Sequence, residues 1–208
     1  MTIELFNTLK NFKPNYSSHI ESWHTFMPFA YNLMKVFKPK VFVELGTHYG
    51  DSYFTFCQAR ETYNLDTKCF AIDHWKGDVH TALYGDEVFD RVYEHNKKFY
   101  SEFSELIRND FSSAIDNFRD DSIDLLHIDG FHTFEAVEND FRLWFPKVKE
   151  NGLVLLHDIC VQERDFGVWK LWEQISCEFS SCALNFGNGL GIIQKKPDYS
   201  QLPRIENS

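Results

Sequence analysis

The stretch KVFVELGTHYGDS, Lys40 to Ser52, decides how the chain is read. Its first half is an apolar run, Val41, Phe42, Val43 and Leu45, interrupted by one acid, Glu44. Apolar and polar residues do not alternate, as expected of a strand covered on both faces. The second half turns through Gly46 and Gly50 and reaches Asp51 and Ser52, either of which can cap a helix. DSYFTFCQARETY follows, with aromatics at helical spacing. Strand, glycine turn and helix make the opening unit of an α/β sheet. Gly46 permits a tight turn, and Gly50 lets the helix begin close to a ligand. The glycine spacing is G-x-x-x-G, so the dinucleotide fingerprint is absent, and no GK[ST] follows to make a P-loop. Glu44 before the glycine suits a cationic ligand better than a phosphate.

Working outward, the same alternation continues. KCFAID (68–73), SELIRND (104–110), SIDLLHID (122–129) and LVLLHD (153–158) read as strands. GDEVFDRVYEHNKKFY, SSAIDNF and FGVWKLWEQIS read as helices. FEAVENDFRLWFPKVKENG reads as one long amphipathic helix stopping at Gly152. SCALNFG and LGIIQKK form a closing pair of strands around the turn at Gly187 to Gly189. The expected class is α/β with a mostly parallel sheet and helices on both faces, in one domain over 1–208. Residues 1–38 are expected to form a helical flank or lid, and 197–208 a loose tail.

With 208 residues, 43% of them hydrophobic, the chain can bury one sizeable core. A net charge of −10, with no Lys/Arg run longer than two, argues against nucleic-acid binding. No apolar run reaches membrane length and the N-terminus lacks a signal-peptide core, so no membrane insertion and a cytoplasmic location are expected. Five cysteines without a CxxC pair read as reduced thiols.

Ligands of open α/β sheets bind beyond the carboxyl ends of the strands. Every strand of the parallel set ends in acids or histidines: Glu44, Thr47 and His48; Asp73, His74, Asp78 and His80; Asn109 and Asp110; Asp129 and His132; His157 and Asp158. A single such acid is often only a cap or turn residue. Five in register point to one crevice. His127 reads as a satisfied core histidine, Trp144, Trp169 and Trp172 as core, and Trp75 and Tyr84 as loop aromatics able to pack on a ligand. Asp73 can accept hydrogen bonds from ribose hydroxyls. A ribose-bearing ligand without phosphates points to S-adenosylmethionine. A competing reading takes His127, Asp129 and His157 as the facial triad of a non-haem iron oxygenase.

VELGTHYGDSYFTFCQA, AIDHWKGDVHTALYGDEVF, SIDLLHIDGFHTFEAVENDF and NGLVLLHDI, in that order, resemble the class I S-adenosylmethionine-dependent methyltransferases, in particular a branch tied to polysaccharide biosynthesis. The resemblance covers most of residues 40–195. It implies a Rossmann-like seven-stranded sheet with the last strand antiparallel, and O-methyl transfer to a sugar or glycan hydroxyl. Glu44, Gly46, Thr47, Gly50, Ser52, Asp73, His74, Asp110 and Asp129 are the expected cofactor-side residues. Asp129, Asp158 and His157 are the expected ligands of Mg²⁺ or Mn²⁺, although His157 departs from the acid or asparagine usual in metal-dependent relatives. His132 is the first candidate for general base, with Asp129, His157 and His80 beside it. A phenolic or polyketide acceptor, association with glycosyltransferase domains, and a non-catalytic binding module are the other readings that the motifs leave open.

Overall fold

The computed structural model describes residues 12–196. Seven strands form the main sheet: β1 (Val41–Leu45), β2 (Lys68–Asp73), β3 (Ser104–Arg108), β4 (Ile123–Ile128), β5 (Val148–His157), β6 (Ser180–Leu184) and β7 (Leu190–Gln194). Their spatial order is β3-β2-β1-β4-β5-β7-β6. The first five run parallel, and β7 lies antiparallel to both β5 and β6. The seven-stranded, mostly parallel sheet is thus as read from the chain. The helices are α1 (Met27–Phe37), preceded by a 3₁₀ turn over Glu21–Phe26, α2 (Asp51–Thr62), α3 (Asp86–Phe99), α4 (Phe111–Ala114), α5 (Phe134–Trp144) and α6 (Val168–Ile175). A small hairpin pairs Gly77–Asp78 with Ala82–Leu83. The expected loose tail falls outside the described residues.

Strand parity explains the unbroken apolar runs. Phe42, Leu125 and Leu155 join Met34, Phe56 and Cys57 in the layer under α1 and α2. Val43, Leu45, Leu126, Ile128, Val154 and Leu156 point the other way, to Phe141, Trp144, Leu171 and Ile175 of α5 and α6. Successive strand residues face opposite sides, so a strand covered twice must be apolar at both parities.

One element differs from the sequence reading. The helix expected to reach Gly152 stops at Trp144, a 3₁₀ turn spans Phe145–Lys147, and β5 already begins at Val148. Pro146 lacks an N–H and restricts the residue before it, so the helix cannot continue through it. The register with β4 shifts between Ile123 and Leu125, and Asn151 sits at φ 63°. The polar KEN segment is therefore taken up as a bulge in the strand. Among the described residues no helix is long and apolar enough to cross a membrane.

Phe42 is wholly buried, with the Phe56 ring at 4.3 Å and the Tyr53 ring at 6.0 Å. Phe42→Ala is expected to cost about 3–5 kcal/mol, read as a melting point lowered by roughly 2–4 °C per kcal/mol. A loss below about 1 kcal/mol would contradict this packing.

Candidate functional site

The site grows from the point where β1 and β4 end side by side. Gly46 N–H donates to the Ile72 carbonyl and Asp129 N–H to the Leu45 carbonyl, both at 2.9 Å. A Cβ on Gly46 would lie 2.0 Å from the Asp129 carbonyl oxygen, and its φ is +85°. Only glycine fits both constraints. Gly50, at φ +89°, serves the start of α2, where an added Cβ would strike the Phe54 ring at 2.7 Å.

Asp73 organises the turn. Its Oδ2 accepts from the N–H groups of Thr47 and His48, each at 2.9 Å, and its Oδ1 accepts from Trp75 N–H at 2.6 Å. A carboxylate offers about four acceptor sites, so capacity remains toward the hollow that Asp73 lines. Trp75 corrects the sequence reading. It is fully buried, with Nε1 donating to the His48 carbonyl at 2.9 Å, and offers no face to a ligand. Tyr84 lines the hollow instead, stacked on His48 at 5.1 Å.

Two hollows meet at the strand ends. The first, about 370 Å³, is bounded by Asp73, His74, Tyr84, Asp110, Phe111 and Asp140. The second, about 350 Å³, is bounded by Trp23, Tyr49, Ser52, His157, Asp158 and Asn188. Each lies within the usual size of ligand pockets, about 300–1,000 Å³. Gly46, His48, Thr81, Asp129 and His132 line both.

At this junction the structure draws Asp129, His132, His157 and Asp158 together. His157 Nδ1 lies 3.1 Å from Asp129 Oδ1 and 3.2 Å from Asp158 Oδ2. His132 Nε2 lies 2.9 Å from Asp158 Oδ2 and 3.7 Å from Asp129 Oδ1. Asn188 Nδ2 donates to Asp158 Oδ1 at 2.8 Å. Asp158 reaches this position through a left-handed backbone, φ 64°, which aspartate tolerates better than most residues. Burial works against charge on every member, but mutual pairing overcomes it. The Asp129 carboxyl is held well below the usual range by the His157 charge and by hydrogen bonds from both histidines. Asp158 is lowered to about 2, chiefly by His157. His132 is raised to about 9 by hydrogen bonds to the two acids, and His157 to about 10 by their charges.

Asp129, His132 and Asp158 could hold a metal ion, since one ligand atom from each lies within 4.8 Å of the others. His157, expected from the sequence as a ligand, stands behind both carboxylates, with its ring 5.5 Å from Phe26 and 6.2 Å from Trp23. His80 enters from the small hairpin and reaches His132. Glu44 is not brought to either hollow. It is fully buried, and its Oε2 meets His127 Nδ1 at 2.8 Å across the β1–β4 pair. Burial raises its pKa despite that partner. His127 is thereby engaged away from the crevice, so the facial set of His127, Asp129 and His157 is not assembled.

Several site residues were not anticipated from the sequence. Trp23 comes from the N-terminal 3₁₀ turn, Asn188 from the turn before β7, and Phe166 and Asp165 from the loop after β5. Asn188 had a signal, an amide between two glycines; the others had none. Asp140 is also new: it is 8% exposed and lines the first hollow. Burial raises its carboxyl to about 7, against an opposing hydrogen bond from Asn139.

Comparisons with known proteins agree with this architecture. Residues 43–159 match the family described as "Methyltransferase domain". An uncharacterized protein of Sinorhizobium fredii, y4gI, is 42% identical over 181 residues, 87% of this chain and 20% of that protein. The chain therefore spans about a fifth of the length of this curated relative. Among solved structures, an O-methyltransferase from Bacillus cereus in complex with S-adenosylhomocysteine superposes with a TM-score of 0.62 at 14% identity, over 93% of this chain and 89% of that one. TomG of Streptomyces achromogenes, an O-methyltransferase involved in tomaymycin synthesis and solved with S-adenosylmethionine, gives 0.61 at 11%, over 94% and 91%.

Asp140→Asn tests the buried carboxyl. A raised folded-state pKa means that the native Asp loses stability as pH rises from its unfolded value, about 4, to its folded value, about 7. The stabilisation of Asp140→Asn over the native chain should therefore grow across that window and level off above it, reaching on the order of a few kcal/mol. A difference in melting point that does not change with pH would refute the buried carboxyl with a raised pKa.

Proposed function

The chain belongs to the methyltransferase-domain family, and from that premise we propose that it is an S-adenosylmethionine-dependent O-methyltransferase acting on a sugar or glycan hydroxyl. One observation carries the reading. The hollow bearing Asp73 and Asp110 shares Gly46, His48, Asp129 and His132 with a second hollow, which His157 and Asp158 also line. A donor and an acceptor would meet at that junction.

The first hollow fits the cofactor. Asp73 and His74 offer hydrogen-bonding groups for ribose, and Asp110 and Phe111 line the same hollow. The absence of a side chain at Gly46 keeps the β1 turn against Asp129. When bound, the sulfonium cofactor supplies an electrophilic methyl group. The chain must then align the acceptor oxygen and receive its proton. Asp129 carboxylate oxygens and His132 Nε2 face that point; His132, raised to about 9, must first give up its Nε2 proton before it can take the acceptor's. His157 holds both carboxylates in place through one ring nitrogen, and Trp23 covers His157 from the N-terminal side.

The donor set of Asp129, His132 and Asp158 also fits a hard divalent ion, two carboxylates and one imidazole with remaining positions left to water. Mg²⁺ or Mn²⁺ there would lower the pKa of an acceptor hydroxyl and orient it. The sugar assignment draws on the second hollow's lining. Trp23, Tyr49 and Phe166 supply aromatic faces, and Ser22, Asp51, Arg164 and Asn188 supply polar groups between them. That mixture suits a polyhydroxylated ring. Association with a glycosyl-transferring domain belongs to the same proposal. The Sinorhizobium relative carries its matching part within a much longer chain.

A thermal-shift titration with S-adenosylmethionine, S-adenosylhomocysteine and NAD should show stabilisation by the first two alone. The gain expected is about 2.7 kcal/mol at a hundredfold excess over Kd. No response to either adenosyl ligand would end this reading. With labelled cofactor, methyl transfer to a glycan panel but not to catechols would support the sugar acceptor. Binding without transfer to any acceptor would favour a non-catalytic module. Asp129→Asn should lower turnover by at least about 10²-fold.

A further inference from the structure

Asp165, His80 and His132 form a hydrogen-bonded chain from the surface into the cluster. His80 Nε2 lies 2.8 Å from Asp165 Oδ1, and His80 Nδ1 lies 3.2 Å from His132 Nδ1. The His80 side chain is 3% exposed, whereas Asp165 is 61% exposed. Both rings are fixed in plane. Phe131 and Phe166 flank His80 at 4.7 and 4.5 Å, and Phe166 stacks on His132 at 4.6 Å with a 9° tilt. Asp78 presents His80 from the hairpin, its Oδ1 accepting from the N–H groups of His80 and Thr81 at 2.7 and 2.9 Å.

The partners dictate the direction of the chain. A carboxylate only accepts, so His80 Nε2 carries a proton and donates it to Asp165. Two Nδ1 atoms facing each other can share only one proton. Two largely buried acids face His132, while one exposed acid faces His80. Water and salt screen the exposed charge more strongly, so the shared proton resides on His132. His80 Nδ1 then accepts, and Nε2 is the only His132 nitrogen left for Asp129 and Asp158.

We infer that Asp165 and His80 are positioning residues: His80 donates from Nε2 to Asp165, accepts at Nδ1 from His132 Nδ1, and so leaves His132 Nε2 turned to Asp129 and Asp158 in the reaction centre. This rests on the reading of Asp129, His132 and Asp158 as that centre. Neutral imidazole has two tautomers, and the partner of one nitrogen selects what the other can do. Partners of this kind behind a metal ligand typically change affinity or activity by about 10–100-fold. The arrangement also couples three loops, those after β2, β4 and β5, to one nitrogen atom.

The test uses the full chain labelled with ¹⁵N-histidine, near neutral pH and with no metal added. Long-range ¹H–¹⁵N spectra should show a proton on His80 Nε2 with Nδ1 acting as acceptor, and a proton on His132 Nδ1. A proton on His80 Nδ1 would overturn the inference. Two surface variants follow. Asp165→Asn keeps an acceptor oxygen and should preserve the His80 pattern. Asp165→Ala should lose it and weaken Mn²⁺ binding, read by water-proton relaxation, by about 10–100-fold. An unchanged pattern in Asp165→Ala would also overturn the inference, as would equal Mn²⁺ affinity in a protein that binds the ion. If the native chain takes up no Mn²⁺, the metal part of the proposed function fails, and the histidine spectra still decide this inference.

Discussion

Two carboxylates, Asp129 and Asp158, are held almost out of water at the end of a parallel sheet, and the rest of the crevice follows from how their charge is compensated. A buried anion is tolerated only when paired and hydrogen-bonded. His157 meets both acids with one nitrogen, His132 approaches from the loop that begins at Asp129, and Asn188 closes the remaining side of Asp158. Removing one partner would leave an uncompensated charge, so the loops that carry these residues are tied to one another.

That demand explains features which otherwise look unrelated. Asp158 takes a left-handed backbone to turn its carboxylate inward. Gly46 gives up a side chain so that the β1 turn can lie against the Asp129 carbonyl. Asp73 spends three hydrogen bonds on Thr47, His48 and Trp75, fixing the turn that borders both hollows. The N-terminal segment is fastened to the same region: Asp51 accepts from Ser18 N–H at 2.6 Å and meets His24 Nε2 at 3.0 Å. This brings Trp23 over His157 and His127.

Beneath the crevice the sheet carries a second ionisable pair, Glu44 and His127, wholly buried between β1 and β4. Residues 42 and 44 share strand parity, as do 125 and 127. The pair therefore falls on the face that packs beneath α1 and α2, not at the open carboxyl end. Glu44 belongs to the first glycine turn in sequence but to the sheet interior in space.

The sequence alone determined the sheet and the acids at its edge. Apolar runs without alternation specify strands covered on both faces, and a glycine turn after the first strand specifies a helix start. Those signals are local, so β1 to β5, the closing pair, and Asp73, Asp110, Asp129, His132, His157 and Asp158 could all be placed in advance. Tertiary structure decided the remainder. Pro146 ended a helix whose polar continuation, KEN, became a bulge in β5 once Lys195 paired alongside it. Trp75 turned from a free loop aromatic into core because Asp73 folded its backbone inward. His132 rather than His157 faces the open side of the acids, and Trp23, Asp140, Asp165, Phe166 and Asn188 join the site from segments far apart in the chain. Hydrophobic periodicity records which face of an element is buried. Which side chains from different loops then meet depends on how those faces pack, and no short stretch of sequence contains that.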